Sequence, residues 1–136
     1  MDYVDTNVIL AYLNANDTNH SRAINLWNTS DSKITSIIAV LELRSVLART
    51  TGLTVEETEA YVEYLPEIGI HVPDIDMNEV LNGAAEIAPG IRMRTLDLLH
   101  ISACIEMSAG RFITLDYEFV EKRHVLSDLG ISVVSA

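Results

Sequence analysis

The chain has 136 residues, 49% of them hydrophobic, with 20 acidic residues against 9 basic ones and a formal net charge of −11. That length and apolar content suit one folded domain with a buried core and exclude a disordered chain. The charge excludes nucleic-acid binding by bulk electrostatics alone, because so acidic a surface repels phosphate unless cations or a local basic patch intervene.

The one cysteine, Cys104, can form no internal disulfide and matches no zinc-ligand spacing, so it reads as a small buried hydrophobe in a reducing compartment. The first residues are acidic where a signal peptide would be basic, and no apolar run has membrane-spanning length. A cytoplasmic protein without membrane contact is the expectation.

Tyr3-Val4 forms a short apolar strand that leads to Asp5, where the chain turns into an amphipathic helix carrying Val8, Ile9, Leu10, Tyr12 and Leu13. The polar run Asn14–Asn19 breaks that helix, and a second one, from about Thr18 to Asn28, sets Ala23, Ile24, Leu26 and Trp27 on its apolar side. Trp27 and Tyr12 read as packing residues rather than base-stacking platforms. Lys33-Ile34-Thr35-Ser36 is a short strand whose last residue can cap a helix from Ile37 to about Thr50, with Gly52 suited to end it. Thr54-Val55-Glu56-Glu57 has the capping-box pattern and predicts a helix to about Leu65. Ile70–Pro73 is a candidate strand, and Asp76 opens a helix that Ala88-Pro89-Gly90 should stop. Ile91–Arg94 then forms a basic loop, and Thr95 is expected to cap a long apolar helix ending near Gly110. Phe112–Leu115 reads as a strand ending in Asp116, with a short helix through Glu118 to Lys122 and a last strand over Ile131–Val134. Strands alternating with helices predict a parallel α/β sheet covered on both faces, with no linker or internal repeat.

Most of the acids decorate helix faces where solvated carboxylates belong; four do not. Asp5 and Asp116 each follow an apolar strand and precede a helix, so in a parallel sheet both fall on the edge where strand carboxyl ends gather. Glu42 lies on or beside the apolar stripe of its helix, with pairing to Arg49 as the plain alternative. Asp97 begins a helix apolar nearly all round, and a right-handed crossover opens that helix onto the same edge. Capping is the competing explanation for Asp5 and Asp97. Carboxylates gathered this closely repel, and the economical resolution is a divalent cation held by oxygen ligands, Mg²⁺ or Mn²⁺ rather than zinc. A water on such a cation is a ready nucleophile for phosphodiester hydrolysis.

Asp5-Thr6-Asn7 after the first strand, Glu42-Leu43 in the middle helix, Asp97-Leu98-Leu99-His100-Ile101-Ser102-Ala103, and Ile113-Thr114-Leu115-Asp116 occur in an order that resembles a PIN domain of the VapC toxin-ribonuclease type. The resemblance spans nearly the whole chain. It implies a three-layer α/β/α fold with a central parallel sheet of four to five short strands, and a Mg²⁺- or Mn²⁺-dependent endoribonuclease. Asp5, Glu42, Asp97 and Asp116 would be both its metal ligands and its catalytic carboxylates. Thr6, Asn7 and Thr114 would orient ligands or substrate, Thr6 having a helix cap as its alternative role. The resemblance further implies an RNA substrate, a homodimer, and a cognate antitoxin that occupies the acidic groove.

Where many relatives carry a further Asp after the fourth acid, this chain has Glu118, which reads as a solvated helix position. His100 reads as a core histidine. Arg92 and Arg94, just before Asp97, are candidates to hold RNA phosphates, with Arg111 a weaker one. Two other readings compete. An aspartyl-phosphate domain, of the receiver or haloacid-dehalogenase kind, also sets Asp at strand ends around Mg²⁺, but this chain has Asn7 where the latter wants a second Asp. A PIN fold without catalysis, serving as an interaction module, is the non-enzymatic alternative.

Overall fold

Five short strands, all parallel, run through the middle of the chain's computed structural model, which describes residues 1–136 in full. In chain order the elements are β1 (Asp2–Val4), α1 (Thr6–Leu13), α2 (His20–Asn28), β2 (Lys33–Ile34), α3 (Ile37–Thr51) and α4 (Val55–Tyr64). A 3₁₀ turn (Leu65–Ile68), β3 (Ile70–His71), α5 (Met77–Ile91) and α6 (Thr95–Glu106) follow. The chain closes with β4 (Arg111–Ile113), α7 (Tyr117–Glu121), α8 (Arg123–Asp128) and β5 (Ser132–Val134). The sheet order is β3-β2-β1-β4-β5, so β1 is central and the chain moves outward on one side before crossing to the other. No helix is long and apolar enough to cross a membrane.

Alternation along the strands divides the interior into two cores, as a period of two requires. Tyr3 stands beside Ile34 and Phe112 in register, and all three face a core built with α5 and α6. The Tyr3 and Phe112 rings stack at 5.3 Å, and Phe112 meets Phe119 at 4.6 Å. Val4 and Ile113, one residue on, face the opposite core with α1, α2 and α3. There Tyr12 and Trp27 stack on each other at 3.8 Å, as packing residues. Helices thus cover both faces of a parallel sheet, giving the expected three layers.

Several local signals act as read. Ser36 Oγ accepts from the Ala39 amide, Thr54 and Glu57 complete a reciprocal capping box, and Gly52 ends α3 at φ 65°, a conformation that disfavours any side chain. Cys104 is fully buried, and burial pushes its thiol up to about 12.

Several boundaries differ from expectation, β2 and β3 each stopping two residues short, at Ile34 and His71. The helix α5 runs through Pro89 and Gly90 to Ile91, because Ile91 is a core residue and its burial extends the helix by a turn. Thr95 does not cap α6: Arg94 holds the capping position without a side-chain bond, and Thr95 is already the first helical residue. The helix also ends at Glu106 rather than near Gly110. Ser108 turns the chain at φ 56°, and the Ala109 amide returns to the Cys104 carbonyl at 3.0 Å, which tucks Ala109 into the core. Finally, α8 has only one buried side chain, Leu126, too weak a pattern for periodicity to reveal.

The proline in α5 makes a testable point. Pro89 removes the amide that would bond the exposed Ala85, but in the last turn of a helix. Pro89→Ala should therefore stabilise the protein by about 1 kcal/mol, well short of the ~3 kcal/mol interior value. Thermal unfolding should show a rise of about 3 °C, and a fall would mean that the ring's own packing matters more.

Candidate metal centre

Asp5 leaves β1 with its amide bonded to the Ile113 carbonyl of β4 at 2.9 Å, which fixes the carboxylate at the sheet's carboxyl edge. It does cap α1: Oδ1 accepts from the Thr6 amide at 2.8 Å. Oδ2 accepts from the Thr114 hydroxyl at 2.7 Å and from Asn7 Nδ2 at 3.1 Å. Burial, reinforced by the charge of Glu42, pushes Asp5 up to about 6 even though His100, Thr114 and Thr6 favour its ionised form. A side chain that capped and nothing more would have no reason to be so enclosed.

Asn7 and Thr114 brace this corner. Asn7 Oδ1 accepts from the Leu115 amide at 3.1 Å, which draws Leu115 out of the ladder and ends β4 at Ile113, two residues earlier than expected. Thr114 Oγ1 accepts from the Asp116 amide at 2.9 Å while donating to Asp5, so one hydroxyl couples the two strand-end acids. Asp116 in turn caps α7, with Oδ1 accepting from the Glu118 amide at 2.9 Å.

Glu42 arrives from α3 and makes no pair with Arg49. Its Oε1 accepts from the Thr6 hydroxyl at 2.8 Å and from His100 Nε2, leaving Oε2 free of protein partners. Thr6 therefore positions Glu42 rather than capping α1. Burial pushes Glu42 up, but the His100 hydrogen bond and charge, with Thr6 helping, hold it below the usual carboxylate value. Asp97, in the first turn of α6, has an Oδ2 that is buried without any hydrogen bond. Its nearest cation is Arg94 Nε at 3.5 Å, on a side chain 76% exposed. Burial first, then the charge of Glu118, raises Asp97 above the ordinary value.

All four acids line one cleft of about 390 Å³ with Thr6, Asn7 and His100, and Leu10, Val46 and Leu96 form its apolar wall. Arg94 lines it too and bridges to Glu118 at 3.3 Å, so Glu118 is an ion-paired residue at the mouth. Arg92 is exposed, ends α5 at φ 55° and does not reach the cleft. Arg111 lies at the other end of the sheet, paired with the buried Asp2 at 3.3 Å.

His100 is the residue that sequence reasoning undervalued. It is buried as expected of a core histidine, yet ligand-type atoms of Asp5, Glu42 and His100 lie within 4.8 Å of one another. Its spacing of three from Asp97, which puts both on neighbouring parts of one helical face, was the available signal.

The donor set suits a hard divalent cation. Glu42 Oε2 is uncommitted, Asp97 Oδ2 is an orphaned buried oxygen, and Asp5 is driven toward protonation when nothing balances its charge. Acidic side chains outnumber Arg94, the one lysine or arginine in the lining. The cluster can hold a metal.

No curated protein sequence matches the chain. Solved structures do. VapC20 of Mycobacterium tuberculosis, described as a toxin that cleaves the sarcin–ricin loop, superposes with a TM-score of 0.71 at 17% identity, over 89% of this chain and 94% of that one. VapBC2 of Rickettsia felis, solved with a DNA fragment from its promoter, gives 0.68 at 15% identity over 99% and 100%. VapBC-1 of nontypeable Haemophilus influenzae gives 0.67 at 17% identity over 99% and 98%. These likenesses establish the VapC-type fold. The PIN domain family model matches residues 3–125, from the middle of β1 into α8, a span that holds every residue of the cleft. The chain belongs to the PIN domain family.

Proposed function

We propose that the protein is a divalent-metal-dependent endoribonuclease and the toxin of a toxin–antitoxin pair. The observation that carries this reading is the buried Asp97 Oδ2, which accepts no hydrogen bond and has only the exposed Arg94 near it, in a cleft that also holds Asp5, Glu42 and Asp116. Such an arrangement is costly without a cation and useful with one. Asp5, Glu42, Asp97 and Asp116 would hold Mg²⁺ or Mn²⁺. When bound, the ion supplies charge neutralisation for the scissile phosphate and an activated water for its hydrolysis.

The chain's own residues do the positioning. Asn7 and Thr114 lock Asp5 and couple it to Asp116, and Thr6 turns Glu42 toward the cleft. Arg94 offers a cation at the mouth, where a phosphate of a single strand can meet it. The apolar wall of Leu10, Val46 and Leu96 is suited to sugar and base faces. An aspartyl-phosphate mechanism fits less well, because no lysine lines the cleft and Asn7 spends its amide on Asp5 and the Leu115 backbone. The structural neighbours include toxin–antitoxin complexes, which supports an antitoxin as the regulatory partner, and an acidic groove suits a basic insert from it.

Metal removal tests the activity. A panel of structured and unstructured RNAs should be cut in Mg²⁺ or Mn²⁺, left intact in EDTA, and cut again when either ion is returned in excess. Cleavage that persists after exhaustive chelation would sink the metal-dependent mechanism. Retention of an antitoxin-like partner with no cleavage of any RNA would favour the interaction-module reading instead.

A further inference from the structure

Under the acidic cluster lies a chain of hydrogen bonds that the proposed reaction does not itself use. Ser36 Oγ and Tyr3 Oη are 2.6 Å apart, Tyr3 Oη and His100 Nδ1 are 2.7 Å apart, and His100 Nε2 meets Glu42 Oε1. Ser36 and Tyr3 are fully buried and His100 is 2% exposed. The three come from the N-cap of α3, from β1 and from α6, so the relay ties β1 and α6 to the carboxylate that α3 itself supplies. The Tyr3 ring is itself held by stacking on Phe112 and by its edge against His100.

From this geometry we infer that His100 is a positioning residue, turned by Tyr3 and Ser36 so that its Nε2–H fixes Glu42 with one oxygen aimed into the cleft. Every link in the relay is satisfied when the imidazole ring carries one proton, on Nε2. Ser36 Oγ accepts from the Ala39 amide at 3.4 Å and keeps its own proton for Tyr3; Tyr3 donates to Nδ1; Nε2–H donates to Glu42. If the ring carries both protons, the Tyr3 and Ser36 bonds reverse, but Nε2 still donates. In both orders Nε2 has no lone pair to offer a cation, and the remaining tautomer, protonated at Nδ1 alone, would turn that lone pair against the Glu42 carboxylate. The cluster of Asp5, Glu42 and His100 therefore divides into two ligands and a residue that aims one of them. Thr6 completes the arrangement by taking the same Oε1, which leaves Oε2 as the only oxygen of Glu42 available to a ligand. Hydrogen-bonded supports of this kind commonly govern metal affinity.

The inference rests on the metal-binding reading above, and its tests separate the two. Mn²⁺ binding to the full chain without RNA, followed by calorimetry, should weaken by about tenfold in Tyr3→Phe and by more in His100→Leu, as losses of metal-site supports do. His100→Gln, which can still donate to Glu42, should recover much of the loss. Affinity unchanged in His100→Leu would overturn the inference. So would His100→Gln as weak as His100→Leu alongside an unaffected Tyr3→Phe, the result expected if the ring nitrogen were itself a ligand. A second readout needs neither metal nor RNA. In EDTA, proton NMR of ¹⁵N-labelled protein should show a slowly exchanging downfield proton on His100 Nε2, absent in His100→Gln. No proton on Nε2 would overturn the inference even if RNA is cut. That proton in a protein that neither binds Mn²⁺ nor cuts RNA would leave the relay standing while the ribonuclease reading fell.

Discussion

Asp97→Asn should abolish RNA cleavage in Mg²⁺ while making the metal-free protein more stable. The two effects have one cause. Asp97 Oδ2 is buried with no hydrogen bond, and its one ion-pair partner, Arg94, is largely in water and screened by it. On the proposed reading Asp97 is a ligand to the catalytic cation, and losing it forfeits several kcal/mol of transition-state stabilisation, or about 10³-fold in rate. Without a cation the same carboxylate is a liability, since burial and the neighbouring Glu118 and Asp116 all disfavour its ionised form.

The pH dependence follows from the direction of that shift. A carboxyl whose folded-state value is raised makes no difference where both states are protonated. Its cost enters as pH climbs through the unfolded-state value and is complete above the folded-state one. The stability advantage of Asp97→Asn in EDTA should therefore be absent in acid and largest above neutrality. Thermal unfolding of both proteins from pH 4 to 8, with EDTA and with Mn²⁺, makes the comparison. The wild type should gain more from Mn²⁺ than the variant does. A variant that is less stable than wild type in EDTA at pH 8 would show that Asp97 has a structural partner after all, and equal cutting by the two would remove Asp97 from the mechanism.

That opposition also explains what could be read from the sequence. Alternating strands and helices were enough for a parallel three-layer fold, because apolar strands with caps and glycine stops leave few other arrangements. The gathering of Asp5 and Asp116 on one edge followed from strand direction alone, and both acids line the cleft. Contacts between elements were out of reach. That Thr6 serves Glu42, that Thr114 couples Asp5 to Asp116 and that His100 reaches back to Tyr3 are facts about side chains 36, 109 and 97 residues apart. The proline that failed to stop α5 failed for a similar reason, since Ile91 is buried in the core it shares with Tyr3, Ile34 and Phe112, all distant in sequence. The buried Asp2, matched by Ser30 and Arg111, looked like part of an acidic terminus because its partners are far away in sequence.

The same distance hides the contact that sets α6, and with it Asp97 and His100, against the rest of the molecule. A Cβ on Gly83 of α5 would stand 2.6 Å from Ser102 Oγ of α6, closer than such atoms approach. Ser102 cannot simply swing aside without loss, because it is 3% exposed and its hydroxyl donates to the Val80 carbonyl at 2.6 Å. Gly83→Ala should therefore force α5 and α6 apart at a cost of about 1–3 kcal/mol, against a helix-propensity gain of about 1 kcal/mol. Ser102 lies two residues past His100 and five past Asp97 on the same helix, so cleavage should fall along with stability. Ser102→Ala removes the colliding oxygen and leaves a Cβ at an ordinary 3.8 Å from the added methyl. In that background Gly83→Ala should become neutral or stabilising, and cleavage should recover. A double-mutant cycle on urea midpoints and RNA cleavage rates measures the coupling. Additive stability effects would mean that α5 and α6 do not meet through this pair. Coupled stability with uncoupled cleavage would mean that the position of α6 has slack to spare at the metal centre.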